Sequence, residues 1–155
     1  MAQCSNSALA TGHPPRATVV QWNCRTLRRK KADLIARFHC DGTAQGPSIL
    51  ALQEVNCQVL KLPGYEGYSS HSDPGQTTSV ALYVLRMLDH VQLDTEPWNT
   101  STATTVGCRV KLTTDHAVLV FSLYARPGTA ARKEKSLLLT LVLYNTSTGS
   151  TLAIK

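Results

Sequence analysis

The stretch SILALQEV, residues 48–55, decides the fold of this chain more than any other. Its apolar run is almost unbroken, it follows a Gly46-Pro47 turn, and its length suits a strand rather than a helix. A strand that is apolar on both sides lies in the middle of a sheet whose two faces are both covered. The stretch therefore predicts an α/β fold built around a central buried strand.

A strand and a helix are predicted before this run. ATVVQWNC, residues 17–24, is apolar and β-branched, which favours a strand. Thr26 is predicted to cap a helix that carries the basic run RTLRRKK, residues 25–31, on its outer side. The apolar positions that recur at helical spacing are Leu27, Leu34, Ile35 and Phe38.

The middle of the chain is typical of an antiparallel meander. Proline and glycine punctuate short apolar runs, and Thr113-Thr114-Asp115-His116 is predicted to form a hairpin turn. Strands that each offer one face to a core fit this pattern. The predicted strands are residues 78–85, 91–94, 104–112 and 117–124.

The last third is predicted to form a helix and a closing strand. Thr129 would cap a helix over residues 130–144, and residues 148–154 would form the strand. The fold class predicted for the whole chain is therefore α/β, with two packed, mainly antiparallel sheets and helices on the outside.

Length and composition favour one domain. A chain of 155 residues with 43% hydrophobic residues can bury one substantial core. Residues 1–16 are small, polar and proline-bearing, so we expect a disordered arm before a domain at 17–155. The net charge of +6 favours a polyanionic partner such as nucleic acid.

The cysteines and the N-terminus indicate an intracellular protein. Five scattered cysteines without CxxC spacing indicate reduced thiols, with neither a disulfide framework nor a zinc site. The N-terminus lacks the apolar core of a signal peptide, and no stretch is long enough to span a membrane. We therefore expect no secretion and no membrane partner, while the oligomeric state stays open.

Two polar residues lie where predicted core strands end. Asn23 ends the first strand and Glu54 the second, and the carboxyl ends of neighbouring strands converge on one crevice. A carboxylate beside a carboxamide offers the oxygen ligands that Mg²⁺ prefers. From spacing alone the plainer interpretation is the more frequent one, with Glu54 a first exposed residue and Asn23 a turn former.

A third candidate lies in FSLYARPG, residues 121–128. Tyr124 ends a predicted strand just before Arg126, and a phenol with a guanidinium can contact a phosphate. Packing of the tyrosine and solvation of the arginine would explain the same pattern.

Taken in order, five segments resemble one known family. They are QWNCRTL, ILALQEV, LPGYEGYSS, TSVALYV and SLYARPGTAARKE, and the likeness covers residues 17–155. The chain resembles the endonuclease/exonuclease/phosphatase superfamily of deoxyribonuclease-I-like fold, and within it the endonuclease domains of non-LTR retrotransposons.

The resemblance implies a four-layered α/β sandwich that hydrolyses DNA phosphodiesters with Mg²⁺. It implies that Glu54 coordinates the metal, that Asn23 belongs to the metal and phosphate network, and that Tyr124 orients the scissile phosphate. DNA would be the partner, and the nucleus is one compartment in which the protein would act. Arg25, Arg28 and Arg126 would contact the phosphates.

The resemblance also implies missing parts. GSTLAIK, residues 149–155, resembles the strand that precedes the family's Gly-Asp-x-Asn motif, and the family's later Ser-Asp-His element has no counterpart. We therefore expect an inactive, C-terminally truncated fragment of an endonuclease that binds Mg²⁺ weakly or not at all, because loss of a general base costs about 10²–10⁴-fold in rate.

Two other functions stay open. One is a non-catalytic nucleic-acid-binding remnant, whose affinity would depend on salt. The other is a phosphatase or a nuclease from another branch of the superfamily. The binding remnant would use Arg25, Arg28, Arg29, Lys30, Lys31 and Arg126.

Overall fold

The structure is a computed structural model that describes residues 17–38, 46–70, 77–114, 116–125, 137–146 and 149–152. For the last two ranges it describes the backbone. The predicted arm at residues 1–16 lies outside the described residues.

Nine strands, one α-helix and two short 3₁₀ turns make up the described chain. The predicted strand, helix, strand opening is confirmed, and the predicted strand at 78–85 matches β4 residue for residue. The elements are β1 Val19–Asn23, a 3₁₀ turn Leu27–Lys30, α1 Lys31–Phe38, β2 Ile49–Cys57, β3 Tyr65–Ser69, β4 Thr78–Leu85, β5 Asp89–Leu93, a 3₁₀ turn Glu96–Trp98, β6 Ala103–Lys111, β7 His116–Ala125, β8 Leu137–Thr146 and β9 Gly149–Leu152.

The first four strands form a sheet of order β1-β2-β4-β3. β1 runs parallel to β2, whereas β4 is antiparallel to both of its neighbours. A parallel pair needs a crossover connection, and the segment that contains α1 supplies it. SILALQEV lies in the interior of this sheet, as the sequence predicts, since Ile49, Leu50, Ala51 and Leu52 are fully buried.

The helical segment covers one face of the four-stranded sheet. Leu27 and Leu34 are fully buried against Leu50 and Leu52, and Tyr83 joins the same cluster from β4. The tyrosine hydroxyl donates a 2.9 Å hydrogen bond to the carbonyl of Leu60, so its polar end is satisfied within the core.

The other five strands form an antiparallel sheet of order β5-β6-β7-β8-β9. The predicted hairpin turn before His116 is confirmed, because the Leu112 amide donates to the His116 carbonyl at 2.8 Å. β7 pairs with β8 over ten residues, from His116 opposite Thr146 to Ala125 opposite Leu137.

The two sheets pack face to face. Alternate residues of β2 and β4 pack against alternate residues of β6 and β7. They form a second core between the sheets, to which each of these strands contributes one face. The edges also touch, where the rings of Tyr68 and His90 lie 5.7 Å apart and nearly perpendicular. The fully buried members of the second core include Ile49, Ala51, Val80, Leu82, Val84, Val106, Cys108, Val110 and Val120.

The helix predicted over residues 130–144 is wrong where the structure describes it, because residues 137–144 belong to β8. LLLTLVLY, residues 137–144, is apolar at nearly every position, so its pattern does not separate helix from strand. Pairing with all of β7 decides in favour of the strand. The closing strand is confirmed over Gly149–Leu152.

Two smaller predictions also differ. Thr26 makes no capping hydrogen bond and has a φ of 81°, so the chain enters a 3₁₀ turn rather than a capped α-helix. β3 was not predicted, because YEGYS, residues 65–69, combines a glycine and a charge with two tyrosines and gives only a weak strand signal.

The described chain is therefore a mixed α/β protein with two sheets and one short helix. No helix in the described part is long and apolar enough to cross a membrane. The described cysteines, Cys24, Cys57 and Cys108, are buried free thiols.

Candidate functional site

Asn23 and Glu54 meet at the ends of their two strands. The Asn23 side-chain amide, Nδ2, donates a 3.0 Å hydrogen bond to Oε1 of Glu54. Both residues are half-buried, at the border between the core and solvent. These two side chains were expected to meet because they lie at the ends of neighbouring strands, and the structure brings them into contact.

The parallel pairing of β1 with β2 produces the contact. Asn23 lies opposite Gln53, and the two chains stay joined beyond the last register pair. The amide of Cys24 donates to the Gln53 carbonyl at 2.9 Å, and that of Thr26 to the Glu54 carbonyl at 2.8 Å. The carboxylate is thus anchored through its own backbone as well as its side chain.

The side-chain carbonyl oxygen of Asn23 is also engaged. Its Oδ1 accepts a 3.1 Å hydrogen bond from the backbone amide of Arg25, which is an Asx turn. With the carbonyl end held by a donor and the amide end on a carboxylate, the side chain has one consistent orientation. Asn23 therefore positions the Glu54 carboxylate instead of sharing a ligand with it.

The backbone around this pair is strained. Among the described residues, those other than glycine with positive φ are Arg25 (45°), Thr26 (81°), Glu54 (51°) and Asn56 (48°). Glu54 is part of the Asn23–Glu54 contact, and the other three lie within three residues of it in the sequence. Such conformations cost on the order of 1–3 kcal/mol each and concentrate at functional sites. The strained backbone and the Asn23–Glu54 hydrogen bond therefore both indicate a functional site at the ends of β1 and β2.

The left-handed conformation of Glu54 also changes which side of β2 its neighbours occupy. Gln53 belongs to the inter-sheet side, and strict alternation would put Val55 there as well. Instead Val55 and Cys57 both pack in the core beneath the helix, and the pairing with β4 shifts between Gln53 and Cys57. This bulge holds Glu54 at the rim of the sheet.

A buried hydrogen bond links the site to the second sheet. Gln53 Nε2 donates to Ser122 Oγ at 2.9 Å, and both residues are fully buried. Tyr124 follows two residues later on the same face of β7, about 7 Å further along the strand. It is half-buried and packs against the inter-sheet core.

Tyr124 lies at the Glu54 end of the sandwich. The opposite end is marked by Leu88 and Leu112, which pack on the same core and lie just after β4 and just before β7. β4 ends beside Ile49, the first residue of β2, so β2 and β7 run in the same direction. The structure therefore brings Tyr124 to the rim that carries Asn23 and Glu54.

Basic side chains surround the strained turn. Arg25 and Arg28 are exposed, as are Arg29 and Lys31, while Lys30 lies 5.7 Å above the Trp22 ring. The ion pairs found in the described chain involve other residues, Arg86 with Glu66 and Lys111 with Asp89. Positive charge next to the carboxylate is thus available to an anion, while Arg126 lies outside the described residues.

The thiol beside the site is inert. Cys24 is fully buried, and burial raises the pKa of its thiol to about 12, an effect that the nearby Lys30 only partly opposes. A thiol that stays protonated at neutral pH is neither a nucleophile nor a metal ligand.

The donor set suits one ligand of a magnesium ion. Glu54 supplies an oriented carboxylate at a half-exposed rim, and Mg²⁺ commonly takes one or two carboxylates and completes its shell with water and phosphate. In the described ranges no three His, Cys, Asp or Glu residues cluster to hold a metal. The residues therefore fit a weak site centred on Glu54.

The histidines that the structure describes lie away from this rim. His90 contacts the Leu88 carbonyl at 2.6 Å, and His116 begins β7 beside Thr113. His116 is eight residues from Tyr124, which is about 27 Å along an extended strand. Neither histidine can act as a general base at Glu54.

Gln53 and Ser122 were not among the predicted site residues. The signal for Gln53 was present in the sequence, because a polar residue within the buried run ILALQEV must find a partner in the core. Ser122 gave no comparable signal, since a serine in a strand is common on either face.

Comparison with protein-family models, with curated proteins and with solved structures finds no match to this chain.

Proposed function

We propose that this chain forms the Glu54-centred part of a Mg²⁺-dependent DNA endonuclease site of the endonuclease/exonuclease/phosphatase type. The observation that carries the proposal is the 3.0 Å hydrogen bond from Asn23 to Glu54 within a strained rim. Resemblance in five ordered segments supports it, as does the position of Tyr124 at the same rim.

Each of these residues has a role in the proposed site. Glu54 is the metal ligand, and Asn23 fixes the carboxylate by donating to Oε1. Tyr124 offers its hydroxyl to a phosphodiester. Arg25 supplies positive charge for the same phosphodiester. A bound Mg²⁺ would polarise the phosphoryl oxygens and stabilise the leaving oxygen.

The proposal extends to the layering of the fold. The described chain supplies a helical layer and two sheets, and the family's four-layered sandwich would add a layer on the outer side of the five-stranded sheet.

Hydrolysis by the 155-residue chain should be very slow. The described rim contains one carboxylate and no histidine, and a general base is typically worth about 10²–10⁴-fold in rate. We therefore expect little nicking of supercoiled plasmid in Mg²⁺, and metal binding is the more informative measurement.

Paramagnetic relaxation by Mn²⁺ tests the site directly. Mn²⁺ accepts the same oxygen ligands as Mg²⁺ and broadens nearby resonances even at low occupancy. In ¹⁵N-labelled protein we expect early broadening of the Asn23 side-chain amide, and loss of this effect in Glu54→Gln. Asp94→Asn, which removes another exposed carboxylate, is the control and should leave the broadening unchanged.

Equal broadening of Asn23 in wild type and Glu54→Gln would contradict the assignment of Glu54 as the ligand. Absence of any selective broadening in the wild type would do the same.

A second candidate function is non-catalytic binding of nucleic acid. The exposed Arg25, Arg28, Arg29 and Lys31 favour it, because they lie within seven residues and have no ion pair among the described contacts. We expect binding of duplex DNA at 50 mM salt that weakens steeply by 200 mM salt.

A charge-matched pair of variants locates that surface. Arg28→Gln should weaken DNA binding, whereas Arg86→Gln, at the opposite end of the sandwich, should not. Equal losses in both variants would show that net charge, and not this surface, determines the affinity.

A further inference from the structure

Asn56 follows Glu54 by two residues and shares its unusual backbone. The φ of Asn56 is 48° and that of Glu54 is 51°. Val55 and Cys57, which flank Asn56, are buried beneath the helix, whereas Asn56 itself is exposed. Neighbouring side chains of a strand point to opposite sides, so Asn56 projects away from the core beneath the helix.

The Glu54 carboxylate lies on the same side of the sheet as Asn56. Along β1, Val19 packs in the inter-sheet core and Trp22 beneath the helix, so alternation directs Asn23 to the inter-sheet side. The carboxylate meets Asn23 there, through the 3.0 Å hydrogen bond. Glu54 and Asn56 therefore project from one side of β2, the side that faces the five-stranded sheet.

The two side chains are close enough to share one ion. Residues two apart along a strand have Cα atoms separated by at most about 7 Å. Mg²⁺ holds its oxygen ligands at about 2.0–2.1 Å. Both side chains have rotatable bonds that can turn an oxygen to a point between them, so a carboxylate oxygen and an amide oxygen can converge at the rim.

Hydrogen bonding decides which of the rim oxygens are available. Asn23 Oδ1 accepts from the Arg25 amide at 3.1 Å, so the carboxamide oxygen that the sequence places beside the carboxylate is occupied. Oε1 of Glu54 accepts from Asn23. Within the part of the chain that the structure describes, Oε2 of Glu54 and the side chain of Asn56 take part in no hydrogen bond. The amide oxygen available beside the carboxylate is therefore that of Asn56.

The residue type at position 56 fits such a role. Glycine adopts a positive φ at the lowest cost, and asparagine is one of the few other residues that adopt it readily. Glycine would serve the backbone equally well but would supply no ligand. Asparagine supplies a carbonyl oxygen, which suits Mg²⁺ as a ligand beside a carboxylate.

We propose that Asn56, through Oδ1, is the second protein ligand of the Mg²⁺ ion bound by Glu54. This assignment rests on the proposed function, because it requires the ion at Glu54. Asn23 holds the carboxylate in place, while Glu54 Oε2 and Asn56 Oδ1 bind the ion. The pair carries a single negative charge, which makes the site weak and makes its affinity sensitive to one added carboxylate.

Titration of the ¹⁵N-labelled 155-residue protein with Mn²⁺, followed through side-chain amide resonances, tests the assignment. In the wild type we expect the Asn56 amide to broaden together with the Asn23 amide. Asn56→Gly keeps the left-handed backbone without strain and should weaken Mn²⁺ binding, read at Asn23, by about tenfold. Asn56→Asp also tolerates this backbone and should strengthen binding by about tenfold, because it adds a charged ligand.

Thr114→Asp is the matched control for charge. Thr114 is exposed in the turn before β7, at the opposite end of the sandwich, so the same added charge should leave Mn²⁺ binding unchanged. An equal gain in Thr114→Asp and Asn56→Asp would overturn the assignment, because net charge would then explain both.

Three other results would also overturn the assignment of Asn56. They are unchanged binding in Asn56→Gly, unchanged or weaker binding in Asn56→Asp, and an Asn56 amide that stays sharp while that of Asn23 broadens. If Glu54→Gln still abolished the broadening in these cases, the proposed site at Glu54 would stand without Asn56. A wild type with no selective broadening would overturn both proposals.

Discussion

At the scale of single residues, Glu54 combines two properties that rarely coincide. It is a charged side chain held by a side-chain hydrogen bond, and its backbone has a φ of 51°. A glycine would adopt this conformation without strain but would remove the carboxylate. A held carboxylate on a strained backbone is expected at a functional site and is unusual at an ordinary strand end.

The strain at Thr26 can be measured. Thr26 has a φ of 81° and makes no capping bond, so Thr26→Gly should stabilise the fold by about 1 kcal/mol, the relieved strain exceeding the entropy cost of glycine. Thr26→Ala keeps a Cβ in the same conformation and should gain much less. Urea unfolding at fixed protein concentration compares the two, and equal stabilities would contradict the strain.

The buried thiols should make the fold sensitive to alkali. Burial raises the pKa of Cys24 and of Cys108 from 9.0 to about 12. Between these values the unfolded chain loses protons that the folded chain retains, so stability falls as pH rises, by about 1.4 kcal/mol per pH unit for each thiol. Below pH 9 the thiols are protonated in the folded and the unfolded chain, so no stability is lost there.

Urea unfolding from pH 8 to 11 tests this dependence. The double variant Cys24→Ala/Cys108→Ala should show a clearly shallower loss of stability with pH than the wild type. The remaining slope should not vanish, because burial also raises the pKa of Tyr83. Parallel slopes for the two proteins would contradict the assignment.

At the scale of elements, the hydrogen bond between Gln53 and Ser122 fixes how β2 and β7 sit across the inter-sheet core. It joins the residue before Glu54 on β2 to a residue two positions before Tyr124 on β7, across a core that is mainly apolar. Losing one partner of a buried hydrogen bond costs about 1–3 kcal/mol, whereas replacing both with apolar groups can cost much less.

A double-mutant cycle tests the coupling of these strands. Ser122→Ala and Gln53→Leu should each destabilise the fold by about 1–3 kcal/mol, and the double variant by less than their sum. Thr95→Val removes a similar buried bond, 2.8 Å to the Thr105 carbonyl. Combined with Gln53→Leu it should be additive. Additivity in the Ser122 cycle would show that the two strands are not coupled through this bond.

A close approach between β6 and β7 gives a second prediction at this scale. A Cβ on Gly107 would lie 2.6 Å from the ring of Phe121. Gly107→Ala should therefore destabilise the fold by about 1–3 kcal/mol through overpacking. Adding Phe121→Leu should recover part of the loss in thermal unfolding, and no recovery would place the cause elsewhere.

Local pattern predicted most strands but not their partners. β2, β4, β6 and β7 are apolar runs between clear turn residues, so their positions follow from the sequence. β8 is equally apolar, yet its pattern fits a helix or a strand, and the ten-residue pairing with β7 resolves the choice. The residues that form such a pairing are separated in the sequence, so the pairing leaves no local signal.

At the scale of the whole molecule, the meeting of Asn23 and Glu54 was predictable because parallel strands end on one edge. Their orientation was not, since it depends on the Asx turn to Arg25 and on the left-handed backbone at Glu54. The link through Gln53 to Ser122 depends on the packing of two sheets, which only the complete fold determines.

The most direct test of the central claim is a crystal structure of the protein grown or soaked with Mn²⁺, with anomalous data to locate the ion. We predict an anomalous peak on the Glu54 carboxylate, with the Asn23 amide still donating to Oε1 and the Tyr124 hydroxyl at the same rim. A Glu54 side chain turned away from Asn23, or an ion bound elsewhere with none at Glu54, would contradict the account.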